Sequence, residues 1–236
     1  MKGHWFRRVQ AFTLIELLVV VGIISLLLAI LLPALAGAKE QSLRSRCATN
    51  HRQLITAALL YAQESRESMP MPNWAWSDAS KEPTGWLYDP PFTTPVAEDL
   101  HKTGTLWRYL ERSELYRCPT HYKPYVEVTL PAQKTIRTSS YLMNGAVVGY
   151  EMNKPAFPVT RFRGNAIIFW EAQEPTWNDG ASYPTEGLTT RHGNGATVSY
   201  IDGHVRWITH AYYNDQLDRP GVPSDLWCAP DTADGR

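Results

Sequence analysis

The chain reads as an α+β protein: a long N-terminal helix, apolar in its first half and amphipathic in its second, packed on an antiparallel β-sheet. Three observations predict this. Roughly twenty almost uninterrupted apolar residues run from Phe12 to Pro33, enough to cross a bilayer core as a helix. Beyond them the apolar residues thin out to Leu43, Cys47, Leu54, Ala58 and Tyr61, mostly three, four or seven apart, which is one helical face. Near the C-terminus two β-rich runs, 195–201 and 204–209, flank Asp202-Gly203, a strong hairpin signal.

Taken in order, Lys2, Arg7 and Arg8 precede the apolar run with no acid among them, which places the N-terminus in the cytoplasm and the bulk of the chain beyond the membrane. Glu16 interrupts the run. An acid in hydrocarbon is costly and marks a functional position that needs a partner. The helix is expected to continue from Phe12 to about Ser65, roughly 80 Å at ~1.5 Å per residue. Pro33 removes one backbone hydrogen bond, so a kink or local melting is expected there. The run Ser68-Met69-Pro70-Met71-Pro72 ends the helix. Residues 73–98, with Trp74, Trp76, Trp86, Pro90, Pro91 and Pro95, hold no period and read as an ordered loop pinned by aromatics. A short amphipathic helix is predicted over 105–111. Strands are predicted near 125–130, 139–149 and 166–171, each between Pro, Gly or Asn turns. In the hairpin, a two-residue Asp202-Gly203 turn with positive φ at both positions would set Tyr200 opposite Val205 and Val198 opposite Trp207. The segment after Tyr213, with Pro220, Pro223 and Pro230, reads as irregular.

The residues Ala11-Phe12-Thr13-Leu14-Ile15-Glu16 and the apolar helix behind them resemble the N-terminal signal of type IV pilins and type II secretion pseudopilins. Ala11 stands where that family usually has Gly. The resemblance implies cleavage between Ala11 and Phe12 by a prepilin peptidase and N-methylation of Phe12. It implies that Glu16 meets the Phe12 amine of a neighbouring subunit, and that Pro33 is the family's helix-bending proline. The implied layout is a cytoplasmic leader (1–11), a transmembrane and assembly helix (12–33), its amphipathic continuation (34–65) and an extracytoplasmic β-rich domain with long loops (66–236). A second resemblance is looser. His192, nine residues, then Asp202-Gly203 is similar to a domain found after prepilin-type signals in Planctomycetes and Verrucomicrobia. Arg46-Cys47-Ala-Thr-Asn50-His-Arg-Gln53-Leu, Cys118-Pro119 and Ser140-Tyr141-Leu-Met-Asn144 match it at scattered points. The expected product is a pilin-like structural subunit and not an enzyme. It would be a single-pass inner-membrane protein with its C-terminal domain periplasmic, or extracellular in a filament, and its partners would be prepilin peptidase, other pilin subunits and membrane lipid.

Composition narrows the alternatives. With 23 basic and 23 acidic side chains the formal charge is zero; removing the leader takes away Lys2, Arg7 and Arg8 and no acid, leaving −3. No basic stripe points to nucleic acid. An ordinary anchor would leave Glu16 unexplained. A cleavable secretory signal ending at Ala34-Leu35-Ala36, before Gly37, would need a shorter apolar core without an acid. A twin-arginine signal at Arg7-Arg8 lacks its context.

No catalytic triad, His-Glu-x-x-His or Cys-x-x-Cys motif is present. Asp202 reads as a turn residue and His192 as a hydrogen-bonded residue at a strand edge. His204 and His210 share one side of a predicted strand without a third ligand, so no metal site is predicted and no cofactor is expected. Calcium would have to draw on Asp215, Asp218, Asp225, Asp231, Asn178 and Asp179, whose spacing fits no known loop. Three cysteines beyond a membrane allow one disulfide. Spacing leaves the pairing open, with Cys47–Cys118 preferred and buried free thiols as the alternative. Trp74, Trp76, Trp86 and Trp177 suggest a second kind of function, a membrane-anchored carbohydrate-binding module with an aromatic platform.

Overall fold

The computed structural model describes residues 13–74, 83–90, 99–121, 138–151, 154–171, 173 and 180–236. Ala11, Phe12, Trp76, Trp177, Asn178, Asp179 and the predicted strand at 125–130 lie outside them.

Helix α1 spans Leu14–Glu64, within one or two residues of the expected limits. Thr13 caps it, and the assignment stays helical through Pro33, so the local melting expected there is not found. The chain divides into two units, Met1–Ser42 and Leu43–Arg236. In the first, the large apolar side chains from Leu14 to Leu35 are exposed. In the second, Cys47, His51, Leu54, Ile55, Ala58 and Ala62 form a buried stripe at helical spacing. The helix ends where Glu67 N–H reaches back to the Ala62 carbonyl (2.8 Å), with Arg66 and Glu67 both at positive φ.

A single helical turn, α2 (Trp107–Leu110), closes when Glu111 adopts the left-handed conformation and its N–H bonds the Trp107 carbonyl. The sheet comprises β1 (Leu142–Asn144), β2 (Ile167–Trp170), β3 (Ala181–Ser182), β4 (Gly195–Tyr200) and β5 (Val205–Thr209), in the order β3-β1-β2-β4-β5. It is mixed, not purely antiparallel: β3 pairs parallel with the free edge of β1, and the other pairings are antiparallel. Strand β1 is shorter than the predicted 139–149. The Asn144 side chain accepts from Ala146 N–H (2.9 Å) and turns the chain into a 3-10 helix over Gly145–Val148.

Two apolar clusters cover the two faces of the sheet. Leu54, Ile55 and Ala58 of α1 join Trp86, Tyr116, Met143, Ile168 and Phe169 on one face. Leu142, Trp170, Ala196, Val198, Tyr200 and Tyr213 fill the other. On β4 the alternate residues Thr197 and Ser199 point away from the second cluster, and the Ser199 hydroxyl lies 3.2 Å from His51 Nδ1.

The hairpin corrects the expected register by one residue. Ser199 faces Val205 and Thr197 faces Trp207, because the loop is three residues long and not two. Gly203 N–H bonds the Tyr200 carbonyl, Tyr200 N–H bonds the His204 carbonyl, and only Gly203 takes positive φ (89°). Asp202 keeps negative φ and its carboxylate accepts from His204 N–H (3.0 Å), which makes it an Asx-turn residue. A second correction concerns the C-terminal segment. His210 lies not on a strand but at the start of α3 (His210–Leu217), capped by the Thr209 hydroxyl accepting from Tyr212 N–H.

Candidate functional site

Two sites carry chemistry. The first is the start of α1. Thr13 and Glu16 form a reciprocal capping box: Glu16 N–H donates to Thr13 Oγ1 (3.2 Å), while Thr13 N–H (2.9 Å) and the Thr13 hydroxyl (2.7 Å) donate to Glu16 Oε2. An acid in the first turn also faces the positive end of the helix dipole. The Thr-x-x-Glu spacing was visible in the sequence, and the structure gives Glu16 a local partner. Behind it α1 is the one helix, among the described residues, long and apolar enough to cross a membrane.

The second site is buried in the Leu43–Arg236 unit, where four segments meet. Cys47 of α1, Cys118 of the loop after residues 113–116, Glu171 at the end of β2 and His192 of the turn before β4 place one ligand-type atom each within 4.8 Å of all the others. The thiol of Cys47 donates to Glu171 Oε1 (2.8 Å). His192 Nε2 lies 3.2 Å from Cys118 Sγ and 3.6 Å from Glu171 Oε1. The other oxygen of Glu171 receives Arg191 Nη1 at 2.7 Å, so a fully buried carboxylate is matched by a nearly buried guanidinium.

Around these four, Tyr141 Oη sits 3.4 Å from Cys47 Sγ and accepts from Asn50 Nδ2 (3.1 Å). Thr120 Oγ1 is 2.9 Å from Cys118 Sγ, and Ser140 Oγ accepts from Cys118 N–H (2.9 Å). Arg44 Nη2 donates to the His192 carbonyl (2.8 Å), which fixes the turn carrying the imidazole. Burial pushes the Cys47 thiol well above its ordinary range. The neighbouring Cys47 thiol first, and then the contacts of His192 and Thr120 with its sulfur, draw Cys118 down to about 6 against the opposing effect of burial. His51, one turn after Cys47 and wholly buried, is held neutral by desolvation, with its pKa lowered to about 3.

Several expectations change here. Cys47 and Cys118, the pair preferred for a disulfide, are brought together and, like Cys228, carry free thiols here. His192 is an interior residue of the cluster and not a strand-edge one, while Asp202 is exposed and pairs with His204 Nδ1 (2.5 Å). Trp74 and Trp86 are buried, and Trp86 Nε1 donates to the Gly180 carbonyl (2.7 Å), so they form no exposed platform. Of the calcium candidates, Asp215 pairs with Arg219, Asp231 with Arg161, and Asp225 bonds Tyr212 and Asn165. The sequence reading missed the four-residue cluster because its members lie tens of residues apart. Each of the scattered fragments around Cys47, Cys118, Tyr141 and His192 leads to it.

Compared with known proteins, residues 6–32 match the family model of the prokaryotic N-terminal methylation motif. No curated protein and no solved structure matches the chain. The chain thus carries a prepilin-type N-terminal methylation motif that runs into the apolar first half of a long helix.

Proposed function

We propose that the chain is a structural subunit of a type II secretion pseudopilus or type IV pilus-like filament. Prepilin peptidase removes residues 1–11, methylates the amine of Phe12, and releases a subunit that is anchored by α1 until it assembles. The observation that carries this reading is the methylation motif at 6–32 laid over a helix whose large apolar side chains from Leu14 to Leu35 are exposed. Such a surface requires lipid or other helices. In the membrane it is the anchor, and in a filament the same face packs against its copies and leaves water and lipid together. The role is mechanical rather than enzymatic.

Within this reading Glu16 has two duties. In one chain it closes the capping box with Thr13. Between chains it neutralises the methylated amine of a neighbour's Phe12, so that two costly charges are buried as a pair and the axial register of packed helices is set. The substitutions Glu16→Gln and Glu16→Ala separate these duties. Gln keeps the cap, because its amide oxygen accepts the same hydrogen bonds, but carries no charge. Both variants are expected to remain in the membrane fraction and to yield few sheared filaments by electron microscopy. Wild-type filament yield from Glu16→Gln would reduce Glu16 to a cap and refute the pairing.

A further inference from the structure

We infer that Cys47, Cys118, Glu171 and His192 form a metal site for a zinc-class divalent ion that holds α1 to the sheet. Two sulfurs, one imidazole nitrogen and one carboxylate oxygen are a borderline-soft set suited to zinc. Calcium and magnesium require oxygen ligands, and an iron–sulfur cluster is held by four thiolates, or by two thiolates and two imidazoles, rather than by this set. The geometry agrees: ligand bonds of about 2.0–2.3 Å in a tetrahedron put donor atoms about 3.3–3.8 Å apart. The Cys118–His192 and His192–Glu171 separations, 3.2 and 3.6 Å, already lie near that spacing, the hydrogen-bonded Cys47–Glu171 pair at 2.8 Å opens by about 0.5–1 Å once the thiol proton leaves, and all four atoms fall within 4.8 Å.

Charge also closes. A divalent ion displaces the two thiol protons, and its two positive charges meet two thiolates. The Glu171 carboxylate remains balanced by Arg191, and His192 binds as neutral imidazole, so the buried site is neutral as a whole. The supports a metal site needs are in place: Arg191 on the far oxygen of Glu171, Tyr141 at Cys47, Thr120 at Cys118, and Arg44 on the backbone of His192. With four protein ligands, all buried, the site has no open position for a substrate and is structural. A disulfide between the two sulfurs accounts for neither the carboxylate nor the imidazole that converge on them. The ligands come from α1, the loop bearing Cys118, the end of β2 and the turn before β4, so one ion would pin four segments that are distant in sequence. This inference is independent of the filament reading.

The test uses the full chain purified in detergent, under reducing conditions and without chelator, with metal content measured by mass spectrometry. About one zinc per chain is expected in the wild type and in Cys228→Ser, and a loss of at least about tenfold in Cys47→Ser and His192→Gln. Because a buried substitution can also prevent folding, anaerobic cobalt titration of the unmodified chain gives a second readout. Saturation at one equivalent, with intense thiolate-to-cobalt absorption and tetrahedral d–d bands, supports the site. Absence of both zinc and the cobalt spectrum overturns it. So does protein taken directly from cells that is two hydrogens lighter and yields a Cys47–Cys118 cross-linked peptide.

Discussion

The two stretches of α1 are chemically different answers to the same backbone. From Leu14 to Leu35 the helix is apolar on every side except at Glu16 and Ser25 and its large side chains are exposed, whereas from Cys47 to Ala62 a single stripe is buried and the opposite face, Leu60 apart, is polar. Helix formation needs neither arrangement in particular, since leucine, isoleucine and alanine propagate a helix in both. What differs is where the burial comes from. The second stretch finds it in its own chain, against the cluster containing Trp86, Met143 and Phe169. The first has to find it in lipid or in other subunits. One continuous helix therefore serves intramolecular folding at one end and, in the proposed reading, intermolecular packing at the other.

The largest expected effect sets these stretches apart directly. Leu54 is fully buried, and Leu54→Ala should destabilise the Leu43–Arg236 unit by about 2–5 kcal/mol through lost transfer energy and a residual cavity. Leu26 is exposed, so Leu26→Ala should leave the unfolding of that unit unchanged and act on filament yield instead. Thermal unfolding followed by near-ultraviolet circular dichroism measures the first, and a cost for Leu26→Ala of similar size would erase the distinction.

A second prediction concerns pH in the globular unit. Desolvation raises Glu186 from 4.5 to about 7, against the lowering effect of its hydrogen bonds with Ser182 and Tyr183. Its folded pKa thus lies above the unfolded one. The native state binds more protons in that window, and this contribution to stability is full below pH 4.5 and is lost as pH rises through 7. Glu186→Gln should flatten that slope in denaturant unfolding measured across the window, while the membrane association supplied by the first stretch stays unchanged. An unaltered slope would mean that Glu186 does not titrate there.

The smallest effect is at the hairpin. Gly203 has φ 89°, and a Cβ added there would meet only Leu59 Cδ1 at an ordinary 3.5 Å. Gly203→Ala should therefore cost about 1–2 kcal/mol from backbone strain alone. A much larger loss in the same unfolding assay would point to a packing role for the turn.

How much was legible in the sequence follows from the range of the signals. The helix limits were legible because 3.6-residue periodicity and a run of apolar residues are local. The hairpin was placed correctly for the same reason, but its register was not. Whether Asp202 or Gly203 alone takes positive φ depends on the Asx bond to His204, which the dipeptide does not reveal. Helix α3 escaped notice because His-Ala-Tyr-Tyr-Asn-Asp-Gln-Leu has no apolar period; Thr209 at its N-cap was the available signal. His51 has no role assigned from the sequence, yet it is buried against Ser199. The thiol–imidazole–carboxylate cluster was illegible for a different reason. Its four members gain their relation only when β2, the turn before β4 and the loop at Cys118 close on α1.

The central claim is that the first stretch of α1 begins, in the mature protein, at a processed amine beside Glu16. Intact-mass and N-terminal peptide analysis of the protein isolated from membranes measures this directly. The account predicts a chain that starts at Phe12 and carries one N-methyl group. A chain that retains Met1, or one that starts near Gly37, would contradict it.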